Sequence, residues 1–299
     1  MKLAVIDLGT NTFHILIVEI TDKREYKILF KERLFTKLGE QGIHKIGKES
    51  YQRSLKAIAH FKAIMDDLGV QKTRVLGTSA LREAFNGQQF IDEAKTKFGI
   101  DIEVIDGLTE GQLIQKGVFL AIGPQEYPHI IMDIGGGSVE FIFVINNEIK
   151  FIKSLNIGLA VLHKIADISD GANDVLLERI DEFLEIHLKD LLQTIGNTDH
   201  LRLIGSAGAF EVIVSMLGKN LYAHSSIEIP LHSFQKLYNR IIWTSVADKL
   251  HMKGIPPERI DYIGVAFHLI KKVIEKIEPA ELFVSKFALK EGVIAESLD

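Results

Sequence analysis

The chain has 299 residues, 46% of them hydrophobic and 25% charged, and its 35 basic and 40 acidic side chains leave a formal charge of −5. At about 150 residues per domain that length allows two compact units, and the wealth of apolar residues excludes intrinsic disorder. The mild acidity speaks against a dedicated nucleic-acid binder, and the absence of cysteine removes disulfides, thiolate catalysis and zinc–thiolate sites together.

The opening MKLAVIDLGTNTFHILIVEI is broken by Asp7, Asn11, His14 and Glu19, so it reads as neither a leader nor a membrane span. A cytoplasmic protein with no membrane and no nucleic-acid partner is expected. The apolar run 3–6 enters Asp7-Leu8-Gly9-Thr10-Asn11-Thr12, an alternating stretch covers 13–20, and a third strand is expected at 26–30. Leu55, Ile58, Ala59, Phe61, Ile64, Met65 and Leu68 then keep the 3.6-residue spacing of an amphipathic helix. A buried strand at 75–77, a helix over 80–98, a strand at 102–105 and a helix over 109–121 complete the first half. Gly123-Pro124, with Pro128, marks the hinge.

The second half echoes the first without a gap. Ile130-Ile131-Met132 enters Asp133-Ile134-Gly135-Gly136-Gly137-Ser138, with strands following at 140–145 and 149–155. Asp7 matches Asp133, Gly9 matches Gly135 and Thr12 matches Ser138, which indicates a duplicated unit. A long helix is expected over 176–195, a strand at 201–204, and helices near 208–217, 231–250 and 257–277. A strand at 282–284 precedes a last helix near 287–298. The predicted class is α/β, with domains at 1–123 and 124–286, a mixed sheet in each, and 287–299 packing back on the first.

Both glycine turns suit an anion cradle, because glycine frees the backbone and successive N–H groups can point inward. Gly9, Thr10, Asn11, Thr12, Gly135, Gly136, Gly137 and Ser138 are the candidate phosphate donors. An Asp heading each turn would repel phosphate, so a divalent cation between them resolves the conflict. Arg82, just after Thr78-Ser79, can fork onto phosphate oxygens or simply face solvent from a capped helix. Gly205 and Ser206 start a third strand–glycine–helix junction, which suits a phosphate or nucleoside or merely close packing. Glu140 beside the second turn implies proton or metal handling. Thr109 reads as a helix cap and Glu110 as a first-turn carboxylate; His14 either faces the site or packs between strands.

Eight stretches, in order, resemble the Ppx/GppA family of the actin-like, sugar-kinase superfamily. They are IDLGTNTFH (6–14), VLGTSALREAFN (75–86), IEVIDGLTEGQLI (102–114), DIGGGSVEF (133–141), SLNIGLAVL (154–162), IGSAGAFE (204–211), ERIDYIGVA (258–266) and SKFALKEGVI (285–294). The resemblance implies duplicated actin-like (ribonuclease H-like) domains around an interdomain cleft. It also implies magnesium-assisted release of a terminal phosphate. By position, Glu110 corresponds to the catalytic carboxylate that activates water, and Glu140 to a second acidic site residue. Asp7 and Asp133 resemble the metal-organising acids, and Arg82 a phosphate-neutralising cation. Gly111, Gln112 and Val161 depart from the family pattern, which puts two cations in question. The resemblance ends with the second lobe, so the helical extension of longer members, and processivity with it, is not implied.

The expected activity is exopolyphosphatase, with Mg²⁺ or another divalent cation as cofactor, a small anionic substrate as partner, and a homodimer as the expected assembly. Guanosine pentaphosphate hydrolysis, an ATP-dependent small-molecule kinase and a non-catalytic actin-like scaffold are the alternatives.

Overall fold

The computed structural model describes residues 1–23, 25–196, 198–221 and 224–298. In the first half, β1 (Lys2–Leu8), β2 (Thr12–Ile20) and β3 (Tyr26–Phe35) form an antiparallel meander. Helix α1 (Lys48–Asp67) crosses to β4 (Lys72–Gly77), which joins β1 in parallel. Then come α2 (Ser79–Glu83), α3 (Gly87–Phe98), β5 (Glu103–Val104) and α4 (Gly107–Ile122). The five-stranded sheet is ordered β3-β2-β1-β4-β5.

The second half repeats the scheme. The meander β6 (His129–Ile134), β7 (Val139–Ile145) and β8 (Glu148–Leu155) leads through α5 (Leu159–Ile165) and α6 (Asp174–Ile195) to β9 (Arg202–Ser206), parallel to β6. After α7 (Gly208–Met216), β10 (Ser226–Glu228), α8 (Leu231–Ile242), α9 (Val246–Lys249) and α10 (Ile260–Ile277), β11 (Glu281–Ser285) and α11 (Leu289–Leu298) close the chain. The second sheet is ordered β10-β11-β9-β6-β7-β8.

Alternation along β1 decides the layers. Ala4 and Ile6 face a core shared with Phe61 of α1 and Phe90 of α3. Leu3 and Val5 face the opposite way, onto Leu113 and Val118 of α4, Val293 and Ile294 of α11, and Ile131 and Ile142 of the second sheet. Helices α4 and α11 therefore lie between the two sheets, while α5, α6, α8 and α10 cover the outer face of the second. This is the duplicated actin-like α/β fold. Where α4 and α11 cross, only glycine fits: a Cβ on Gly117 would lie 1.9 Å from the Ala288 carbonyl oxygen.

Several elements differ from the sequence expectation. The single helix over 80–98 breaks at Ala84, whose ψ of 127° is extended. Tertiary hydrogen bonds pull the chain out there: Phe85 N donates to His44 O, and the Asn86 amide both accepts from Ile46 N and donates to Ile46 O. The helix over 231–250 likewise divides, because the Ser245 hydroxyl caps α9 by accepting from Asp248 N. Helix α10 is preceded by a short 3-10 turn, Pro257–Arg259. Helix α4 begins two residues before Thr109. Its cap is Asp106, whose carboxylate accepts from Thr109 N at 2.7 Å. Among the described residues no helix is long and apolar enough to cross a membrane.

Candidate functional site

The two turns are built alike. Gly9 N donates to Thr12 O at 3.1 Å, and Gly135 N donates to Ser138 O at 3.0 Å. Asp7 pairs across the sheet with His14, and Asp133 with Glu140, in the same register. Each second strand is then kinked at the same place, after Ile17 and after Phe143. The carbonyls of Gly135, Gly136 and Gly137 accept from Leu159, Ala160 and Gly158, at the start of α5. A trans peptide sets N–H opposite C=O, so the N–H groups of Gly136, Gly137 and Ser138 point away from α5. In the first turn the carbonyls of Thr10 and Asn11 are taken by Gly39, Thr36 and Lys37.

The turns meet. A Cβ on Gly136 would lie 2.9 Å from Thr10 Cβ and Asn11 Nδ2, and one on Gly137 would lie 2.3 Å from Ser79 Oγ. Beside them opens a cleft of about 740 Å³, lined by Asp7, Gly9 to Thr12, His14, Glu110, Asp133 and Gly135 to Ser138.

Four carboxylates lie buried or half-buried at this junction. Burial pushes Asp7 up to about 6, helped by the charges of Asp133 and Glu291 and opposed by Lys290. Asp133 is also raised by burial, against the hydrogen bond from Ser206 and the charge of Lys290. Glu110, 7% exposed, is raised well above the usual glutamate value by burial and then by the charge of Glu140, while Arg82 opposes. Glu140 is pushed up to about 7 by burial, while Ser154 and Ser138 hydrogen bonds pull the other way. Such a cluster stores electrostatic repulsion that a cation or a shared proton would relieve. His14 is held neutral at pH 7, by burial first and then by Lys290, Arg259 and Arg33.

Three expected phosphate ligands are placed differently. Arg82 does not line the cleft; its Nη1 donates to Ile105 O at 2.8 Å and to Glu110 Oε2 at 3.3 Å. The guanidinium lies against the Glu110 carboxylate on α4, where attraction and a carbonyl acceptor hold it. Ser206 is fully buried and donates to Asp133 Oδ2 at 2.5 Å, so its hydroxyl orients an aspartate. Gly205 is a packing glycine, since a Cβ there would lie 2.2 Å from the Phe210 ring. The Ser138 hydroxyl is engaged with Glu140. Glu140 itself, 1% exposed, sits behind the turn and does not line the cleft.

The departures from the family pattern also gain a setting. Gly111 is pressed on β8, where a Cβ would lie 2.4 Å from Ile152 Cγ2. Gln112 is exposed, and neither it nor Val161 lines the cleft. The cleft has cations of its own that sequence reasoning missed. Lys290 reaches in from α11, where Glu291, Asp7, Glu211 and Asp133 hold its pKa above the lysine value against the cost of burial. Arg259 covers Gly208, where an added Cβ would lie 1.7 Å from Nη1. Glu211 bridges Arg33 at 3.3 Å and Arg259 at 3.8 Å across the cleft. Arg259 and Lys290 lie within quoted motifs, ERIDYIGVA and SKFALKEGVI, which were the available signal. Ala207, also on the cleft, has φ +65°, a strained conformation for a residue with a Cβ.

The profile of the Ppx/GppA phosphatase family matches residues 16–299. Over 300 residues the chain is 28% identical to a guanosine-5'-triphosphate,3'-diphosphate pyrophosphatase of Vibrio parahaemolyticus, a match covering 99% of this chain and 59% of that protein. It thus spans about three fifths of the length of the curated pyrophosphatases it matches. A solved exopolyphosphatase from Cytophaga hutchinsonii superposes with a TM-score of 0.94 at 33% identity, covering 100% of this chain and 98% of that one. The Ppx/GppA family member of Aquifex aeolicus superposes at 0.80 with 23% identity, over 100% of this chain and 97% of that one, a likeness of fold.

Proposed function

The chain belongs to the Ppx/GppA phosphatase family, and from that premise we propose that it hydrolyses phosphoanhydride bonds, releasing terminal phosphate from inorganic polyphosphate. The observation that carries this reading is the contact of Gly136 and Gly137 with Thr10 and Asn11, beside a buried Glu110 of raised pKa.

In this reading the N–H groups of Gly136, Gly137 and Ser138 bind terminal phosphate oxygens, and the Thr10–Thr12 turn holds them from the other lobe. Glu110 accepts the proton of the attacking water. A base with an elevated pKa suits proton transfer near neutrality, and burial leaves it little water to compete with. Arg82 holds Glu110 in place and keeps enough of it ionised to act. Glu140, whose charge raises the pKa of Glu110, favours uptake of that proton by Glu110. Asp7 and Asp133 would hold Mg²⁺ or another divalent cation, which would neutralise charge on the terminal phosphate. No three acidic or histidine side chains among the described residues form a ready-made cation site. Two buried carboxylates of raised pKa, with the charge of Asp133 acting on Asp7, nevertheless fit a divalent cation that would relieve their repulsion. Lys290 and Arg259 add positive charge for a polyanion.

Guanosine pentaphosphate is the second reading, favoured by the activity for which the 28% identical Vibrio relative is named. Phosphate release from long-chain polyphosphate and from guanosine pentaphosphate, each with Mg²⁺ titrated, tests both. Metal-dependent release from either supports hydrolysis, and the preferred substrate orders the two readings. No release from either with Mg²⁺ or Mn²⁺ removes the proposal, and phosphorylation of a sugar from ATP would replace it with a kinase. Arg82→Gln lowers release by about 100-fold, because a polar amide cannot supply the charge opposing Glu110's protonation. Equal turnover in the variant would separate Arg82 from the reaction.

A further inference from the structure

Ser154 belongs to none of the glycine turns, yet it touches both elements that bear the paired glutamates. It sits directly opposite Glu140 in the β7–β8 register. Its Oγ donates to Glu140 Oε1 at 2.7 Å. On its other side, a Cβ added to Gly107, the first residue of α4, would lie 2.3 Å from Ser154 Cβ. One turn along α4, Gly111 is equally close to Ile152 on the same strand. Helix α4 is therefore seated on β8 through two bare glycines, and Glu110 projects from between them. A buried carboxylate can rotate about its last torsion unless a hydrogen bond selects one orientation. Glu140 is 1% exposed, so solvent cannot supply that bond; the Ser138 hydroxyl also engages the carboxylate, and of the two Ser154 has the larger effect on it.

We propose that Ser154 is a positioning residue for hydrolysis. Its hydroxyl fixes the orientation of the Glu140 carboxylate, and its contact with Gly107 sets the spacing between Glu140 and the helix turn bearing Glu110. The role rests on the reading of Glu110 and Glu140 given above. It differs from the phosphate-binding roles, since Ser154 does not line the cleft. Loss of the hydroxyl therefore changes the rate of the bound complex and leaves binding intact.

The experiment uses the full chain with Mg²⁺ and the better of polyphosphate and guanosine pentaphosphate. Ser154→Ala removes the donor, Ser154→Cys keeps the volume with a poor donor, and Ser154→Thr restores a hydroxyl. The expected result is a fall in kcat of ~10–100-fold in the alanine and cysteine variants. KM stays close to wild type, the thermal midpoint falls by only a few degrees as the buried carboxylate loses a donor, and the threonine variant recovers most of the rate. Glu140→Gln, measured alongside, must be impaired at least as strongly. Wild-type kcat in folded Ser154→Ala and Ser154→Cys, or a loss confined to KM, overturns the inference while leaving Glu140's role intact. Full activity in Glu140→Gln overturns the role of Glu140 and the positioning role with it, and so marks the failure of the broader reading.

Discussion

Glutamine at position 110 is expected to cut phosphate release by about 10³-fold and, at the same time, to stabilise the substrate-free protein above neutral pH. The rate falls because an amide cannot take a proton from water. The stability rises because Glu110 is buried with a raised pKa, beside the charge of Glu140. A carboxyl whose folded pKa exceeds its unfolded value favours the native state most at low pH. That contribution is lost as pH rises through the folded pKa, because ionisation then costs the native state more than the unfolded one. Glu140 shows the window: moved from 4.5 to about 7, it loses its contribution across that interval. At about 1.4 kcal/mol per unit, the penalty from Glu140 at pH 8 is roughly 3 kcal/mol. Glu110→Gln and Glu140→Gln should therefore melt above wild type at pH 8, and the gain should vanish near pH 4. Thermal midpoints at both pH values check it. A variant that is inactive and also less stable at pH 8 would contradict the picture of strained carboxylates.

The second large effect is structural. Gly117→Ala is expected to destabilise the chain by about 3 kcal/mol or more, through overpacking against backbone that cannot step aside. The added Cβ would lie 1.9 Å from Ala288 O and 2.9 Å from Gly292 N. Its reciprocal partner, Gly292→Ala, would bring a Cβ to 1.8 Å from Leu113 O. Either substitution parts α4 from α11, and the shared helix layer between the sheets opens. The double variant should then cost less than the two singles combined, since one displacement relieves both clashes. Urea unfolding midpoints provide the measurement, and additive losses would mean that the crossing is not a single contact. Activity should fall as well, because the first turn of α4 bears Glu110 and α11 bears Lys290.

Much of the fold was legible in the chain because its signals are local. A glycine turn closed by Gly9 N to Thr12 O, or by Gly135 N to Ser138 O, involves residues three apart. The alternation of Leu3 to Ile6 needs only the pleat of a strand. The two Asp-headed motifs therefore point to a duplicated meander without any knowledge of long-range contacts. The resemblance to the family, read from the same stretches, added Glu110, which its position in a first helical turn would not have singled out.

Side-chain partners were decided elsewhere. Arg82 turns to Glu110, 28 residues away, and Ser206 to Asp133, 73 residues away, because the folded sheets and helices bring these groups together. The breaks at Ala84 and before Ser245, the use of Gly205 under Phe210, and the arrival of Lys290 and Arg259 in the cleft have the same origin. Residue type and spacing limit the conformations and charges a segment can offer. Which charge meets which, and whether a glycine frees a turn or admits a neighbour, depends on packing between segments that only the folded chain brings into contact.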